Sequence, residues 1–143
     1  MQLLLPNEVI SCLKSLKNAG FEAWCVGGAV RDMIMSRTPG DFDVTTSARP
    51  ENVTEIFNHT VPTGIKHGTV TVIINKMPIE VTTYRSDGKY SDHRAPDSVR
   101  YVSSVDDDLR RRDFTVNAVC CSEEGKIYDP LNGVADICSK KLR

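Results

Sequence analysis

Asp41 and Asp43 stand as Asp-Phe-Asp a few residues after the run Gly27-Gly28-Ala29-Val30-Arg31-Asp32. In an extended strand, side chains two residues apart project to the same side, so the two carboxylates can share a divalent cation while Phe42 turns into the core. Anions this close repel one another unless positive charge lies between them, and hard oxygen donors favour Mg²⁺. A lone Asp-x-Asp is ordinarily a solvated turn. Here Pro39-Gly40 ends the preceding segment and Val44-Thr45 continues a strand, which sets the carboxylates at a strand start.

Other residues carry compatible chemistry. Gly27-Gly28 before a helix can be a plain tight turn. It can also let backbone N–H groups approach a phosphate, with Arg31 one turn further on to pair with the same anion. No Gly-Lys-Ser/Thr follows, so this is not a Walker A loop, and the third glycine of a dinucleotide fingerprint is missing. Glu80 lies in Ile79-Glu80-Val81-Thr82-Thr83-Tyr84 and completes a three-carboxylate cluster if its strand neighbours that of Asp41; otherwise it is an exposed glutamate on a half-buried strand. In Arg110-Arg111-Arg112-Asp113-Phe114-Thr115-Val116-Asn117, the arginines either complement a helix end or turn one guanidinium toward a nucleotide, with Asp113 or Asn117 orienting it or the sugar.

The elements that must position these groups follow from periodicity. Val9, Ile10, Leu13, Leu16 and Ala19 have helical spacing over Asn7 to Ala19, and Gly20 supplies the left-handed cap. Phe21 to Val26 reads as a strand, Ala29 to Met35 as a short helix, Phe42 to Thr45 as a strand, and Pro50 to about Phe57 as a helix starting near Ser47 or Ala48. His67 to Ile74 and Met77 to Tyr84 are β-rich and joined by Asn75-Lys76, a hairpin turn. Arg85 to Ser98, with few apolar residues, reads as a long surface loop. Arg100 to Val102 suits a short strand and Val105 to Arg112 a charged helix, while Phe114 to Cys121 is a buried segment of unsettled type. The expected architecture is a mixed α/β (α+β) domain, a twisted and largely antiparallel sheet with helices packed on one face.

At 143 residues and 40% hydrophobic content, the chain fits one domain whose core needs no disulfide or structural metal. Five cysteines with no C-x-x-C spacing suggest reduced, mostly buried thiols and a cytoplasmic setting. His59, His67 and His93 have no zinc-ligand spacing. The Met1 to Pro6 run lacks a basic leader and no segment is long enough for a bilayer, so no membrane partner is expected. A formal charge of -1 argues against holding nucleic acid by bulk charge. The sequence is silent on oligomeric state.

Together, Val26-Gly27-Gly28-Ala29-Val30-Arg31-Asp32, Pro39-Gly40-Asp41-Phe42-Asp43, Thr63 to Val72, Glu80 to Arg85 and Asp108 to Ala118 resemble, in order, the motifs of the N-terminal catalytic head of class II tRNA nucleotidyltransferases. These are the CCA-adding enzymes and bacterial poly(A) polymerases. The resemblance covers essentially the whole chain and implies a nucleotidyltransferase palm. It implies that Asp41 and Asp43 bind catalytic Mg²⁺ with Glu80 as the third acidic position. It also implies that Gly28 and Arg31 contact the phosphates of the incoming nucleotide and Arg112 the nucleotide, and that Arg85 to Ser98 is the family's flexible loop, implicated in switching between nucleotides.

The implied reaction is two-metal transfer of a nucleotidyl group from CTP or ATP to the 3′-hydroxyl of tRNA, releasing pyrophosphate. Family members continue into neck, body and tail helices that read the base and hold the tRNA. Residues 1–143 are therefore expected to be a catalytic head fragment, inactive or non-selective by itself. The alternatives are a poly(A), A-adding or C-adding relative, and a non-catalytic domain that binds nucleotide or metal.

Overall fold

Helix α1 (Asn7–Asn18) buries Val9, Cys12, Leu13 and Leu16, a stripe at three- and four-residue spacing. It closes as a Schellman turn: Gly20 takes φ 97°, its N–H donates to the Lys17 carbonyl, and the Phe21 N–H donates to the Leu16 carbonyl. That second bond holds Phe21 in the cap, so β1 begins at Ala23 rather than at Phe21. The computed structural model describes residues 2–86, 100–112 and 114–139.

The chain continues through β1 (Ala23–Val26), α2 (Gly28–Ile34), β2 (Phe42–Thr46), α3 (Pro50–Ile56), β3 (Thr60–Gly64), β4 (Thr69–Ile74) and β5 (Met77–Thr83). After these come β6 (Arg85–Ser86), β7 (Arg100–Tyr101), α4 (Val105–Arg110), β8 (Cys120–Cys121), β9 (Ile127–Tyr128) and α5 (Gly133–Ser139). A seven-stranded sheet runs β3-β4-β5-β2-β1-β8-β9, and β6 pairs with β7 separately. Neighbours in the large sheet are antiparallel except β2 and β5, which are parallel. The fold is thus the mixed, largely antiparallel α/β domain that the sequence predicts.

The β4–β5 turn is built by Asn75 (φ 49°) and Lys76 (φ 69°), the two positive values that a type I′ hairpin requires. Alternation then divides the central strands. Phe42 and Val44 of β2, Val70 and Val72 of β4, and Ile79 and Val81 of β5 join the core with α1, α2 and α3. The intervening residues, Asp43, Thr45, Thr69, Thr71, Glu80 and Thr82, occupy the opposite face. Most helices share the first face as expected, but α4 lies over the second, where Leu109 packs with Val26, Ala118 and Cys120.

Several expectations change in detail. Residues Ile65–His67 form a 3-10 turn, so β4 starts at Thr69; Gly68 follows in the left-handed region (φ 82°), with the Tyr101 ring against it. Helix α3 is entered through Arg49, whose N–H donates to Asn52 Oδ1, and α4 stops at Arg110. Phe114 to Cys121 is not uniformly buried: Phe114 is 41% exposed, Thr115–Asn117 is a 3-10 turn, and Ala118 to Cys121 enter the core. Strands β3 and β9 and helix α5 lacked a clear sequence signal. Helix α5 is held by Asp129, which accepts from the N–H groups of Gly133 (2.6 Å) and Val134 (2.9 Å). Of the expected loop, Arg85–Ser86 is strand β6 and residues 87–98 lie outside the described residues.

Candidate active site

Parallel pairing of β2 with β5 places Asp43 in register with Glu80, Val44 with Val81 and Thr45 with Thr82. The condition set for Glu80 is therefore met: its strand is the immediate neighbour of the Asp41-Phe42-Asp43 strand. Asp43 is partly buried and Glu80 exposed on the same face, while Phe42 is buried on the other. Asp41 lies one residue before β2 and is exposed. Among the described residues, no three His, Cys, Asp or Glu side chains form a ready metal cage. The carboxylates are neighbours at the mouth of β2 and β5, with Asp43 the innermost.

Burial pushes the Asp43 carboxyl up to about 6, and the negative charge of Glu80 adds to the shift; Asp41 raises it further, while Arg112 opposes it. Asp43 and Glu80 line an open cavity of about 490 Å³, together with Arg85, Arg111, Arg112 and His67. Acidic groups thus form one part of its wall and guanidinium groups another.

The glycine turn adjoins this cavity. Gly27 adopts φ 81°, and a Cβ built on it would stand 3.6 Å from Asp43 Oδ2 and 3.8 Å from Arg112 Nη1. Gly27 therefore sits between the acidic and basic groups. At Gly28 the corresponding position is 3.3 Å from Arg31 Nη2, so the Arg31 guanidinium folds over the start of α2. Arg31 Nη1 donates to Asn117 Oδ1 (3.1 Å), and its Nε and Nη2 each lie 3.3 Å from Asp32 Oδ1. Asn117 thus orients Arg31, not one of the arginines of Arg110 to Arg112 for which the sequence suggested it. Asp113 lies outside the described residues.

Sequence reasoning gave no role to Asp108. Its side chain is fully buried on α4 and gathers four donors: Thr45 Oγ1 (3.0 Å), the Arg85 N–H (3.1 Å), Arg112 Nη2 (3.3 Å) and Arg111 Nε (3.5 Å). Burial lowers the Arg111 pKa, Asp108 resists that change, and the guanidiniums of Arg112 and Arg85 reinforce it. The available signal was an aspartate beside buried Leu109, spaced i,i+3 and i,i+4 from two arginines. Thr45, two residues from Asp43 on the same face, carried no signal beyond strand alternation.

The poly A polymerase head domain family matches residues 23–143. A CCA-adding enzyme of Geobacillus kaustophilus is 49% identical over 127 residues, covering 89% of this chain and 31% of that protein. One from Lactobacillus helveticus is 48% identical over 142 residues, covering 97% and 36%. The crystal structure of the Bacillus stearothermophilus CCA-adding enzyme in complex with CTP superposes with a TM-score of 0.89 at 42% identity, over 98% of this chain and 34% of that one. A tRNA nucleotidyltransferase complexed with a primer tRNA and an incoming ATP analog gives a TM-score of 0.69 at 27% identity, over 92% and 38%. The chain spans about a third of the length of these relatives. By both its sequence motifs and its fold, the chain belongs to the poly A polymerase head domain family.

Proposed function

We propose that this chain is the catalytic head of a nucleotidyltransferase that adds CCA to tRNA, taking the nucleotidyl group from CTP or ATP. The observation that carries the proposal is the Asp43–Glu80 register at the mouth of a cavity whose other wall holds Arg111 and Arg112. The names of the relatives, one solved with CTP and another with primer tRNA and an ATP analog, support the substrate class.

In the proposed reaction the 3′-oxygen of tRNA bonds to the α-phosphorus of the nucleotide, the bond to the bridging oxygen breaks, and pyrophosphate leaves as the 3′-hydroxyl gives up its proton. The donor set fits a hard cation: its members are carboxylates, and Asp43 is raised by burial first and then by the negative charge of Glu80. Mg²⁺ ions held by Asp41 and Asp43, with Glu80 beside them, would supply charge to the attacking and leaving oxygens. Gly28 and Arg31 bind the nucleotide phosphates, with Asn117 holding the Arg31 guanidinium in place. Arg112 contacts the nucleotide from the opposite wall. Because the chain covers about a third of its relatives, choice of base and grip on tRNA are assigned to regions outside this head. The isolated head is expected to be inactive or non-selective.

Among the described residues no helix is long and apolar enough to cross a membrane. The cysteines Cys12, Cys25, Cys120, Cys121 and Cys138 are free thiols, in keeping with a proposed cytoplasmic setting. The test is incubation of a full-length protein carrying this head with tRNA lacking its 3′ end, plus CTP, ATP or both. Ordered C, C, A incorporation supports the proposal. Runs of A with ATP alone would replace it with poly(A) or A addition, C alone with C addition, and no incorporation with a non-catalytic domain.

A further inference from the structure

We propose that Asp108 is a positioning residue that sets the Arg112 guanidinium for nucleotide binding; this rests on the nucleotide role proposed for Arg112. A fully buried carboxylate is costly unless positive charge and hydrogen bonds surround it. Asp108 is 0% exposed, and its oxygens accept from three separate parts of the chain. Oδ2 takes the Thr45 hydroxyl and Arg112 Nη2; Oδ1 takes the Arg85 N–H and Arg111 Nε. One carboxylate therefore ties β2, β6 and the end of α4 together.

The geometry divides the Arg112 guanidinium. Nη2 is anchored on Asp108, whereas Nη1 faces the glycine turn, 3.8 Å from where a Gly27 Cβ would stand and near the side where Asp43 Oδ2 approaches. Arg112 Nε is buried without a hydrogen-bond partner. The side chain is only 18% exposed, so it has little freedom to find another pose while Asp108 holds it. Thr45 anchors the same Asp108 oxygen to β2, two residues from Asp43. The separation of Arg112 from the carboxylates is thus fixed by a link between the strand that carries Asp43 and the helix that precedes Arg112.

Asp108 also concentrates positive charge. Arg85, Arg111 and Arg112 line one cavity, and Asp108 offers a single negative charge to Arg111 and Arg112 from behind, on the side away from solvent. The guanidinium charge left over faces the cavity, where a polyphosphate would meet it. Removing the carboxylate leaves the arginines present but repelling one another, free to turn outward.

The experiment is a double-mutant cycle on ATP binding by a full-length protein carrying this head, in Mg²⁺, using Asp108→Asn, Arg112→Ala and the pair. Asparagine keeps the size of Asp108 and an acceptor for Thr45 but loses the charge. Expected is a loss of about tenfold for Asp108→Asn, with the pair binding no worse than Arg112→Ala alone, since coupled residues are non-additive. Thr45→Val keeps the strand and removes one anchor; it should lower affinity in the same direction, by about twofold to threefold, and only when Arg112 is present. A purely structural Asp108 would lower thermal stability without that dependence on Arg112. Unchanged ATP affinity in Asp108→Asn, or equal losses with and without Arg112, would overturn the inference alone. If Asp108→Asn does not fold, the Thr45→Val cycle decides by the same criterion. No ATP binding by the unaltered full-length protein, or no loss in Arg112→Ala, would overturn the nucleotide role of Arg112 and this inference with it.

Discussion

The two faces of β2 and β5 are made from alternate residues of the same strands, yet they differ in every physical respect. On one face Phe42, Val44, Ile79 and Val81 pack beneath α1, α2 and α3. On the other, Asp43 and Glu80 are paired across the strands with Thr45 and Thr82 beside them, and like charges in register oppose folding. The apolar face holds the sheet together, and the polar face uses that rigidity to keep repelling groups near one another. A site of this kind is tolerated because the opposite face is well packed, not because the site is stable in itself.

Separating the faces by mutation should therefore separate activity from stability. The largest effect is on the polar face: in a full-length enzyme carrying this head, Asp41→Ala with Asp43→Ala should lower nucleotidyl transfer by roughly 1000-fold or more, the scale of removing direct transition-state stabilisation. The melting temperature should not fall. Full activity in that double mutant would remove the proposed site. On the apolar face, Leu13→Ala should cost about 3 kcal/mol in denaturant unfolding, because Leu13 is fully buried on α1. A loss below about 1 kcal/mol would mean that the α1 contact is far looser than its burial indicates.

A smaller effect has the opposite sign. The Asp43 carboxyl is raised from 3.8 to about 6, so the folded chain holds this proton more tightly than the unfolded chain. The stability from that protonation is complete below about pH 4 and is lost as pH rises through about 6. Asp43→Asn should then stabilise the metal-free chain by about 1 kcal/mol at pH 7.5, after discounting for solvent screening at this partly exposed site, and by nothing at pH 4. A destabilised variant at pH 7.5 would contradict the claim that the polar face opposes folding. Smallest of all, Lys17→Ala, which breaks the surface pair with Glu123 at 2.9 Å, should change unfolding free energy by less than about 1 kcal/mol, falling toward zero in high salt.

What could be read from the sequence follows the same division. Alternation around Phe42 and the helical spacing of Val9, Leu13 and Leu16 were sufficient for the packed face, because each is a local pattern. Asp41, Asp43, Glu80, Gly28 and Arg31 stood out as residue types in order, although only the parallel β2–β5 pairing shows that Asp43 and Glu80 are partners. Strand β3 lacked a pattern because Pro62 and Gly64 interrupt it, and its pairing with β4 is irregular between Val61 and Gly64. Asp108 was hidden for a different reason. Among Asp106, Asp107 and Asp108 at the start of α4 it looks like ordinary helix-dipole charge, and only the approach of Thr45 and the Arg85 N–H distinguishes it. Long-range partners decide the site, and no local period records them.

The most direct measurement is the titration of the Asp43 side-chain carboxyl by carbon-detected NMR, without metal and again in Mg²⁺. A midpoint near 6 is expected in the metal-free chain, where burial and Glu80 raise it, and a fall to well below that on adding Mg²⁺, because a bound cation favours the ionised carboxylate. A midpoint that stays near 6 at saturating Mg²⁺ would contradict the claim that this carboxylate pair is a cation site.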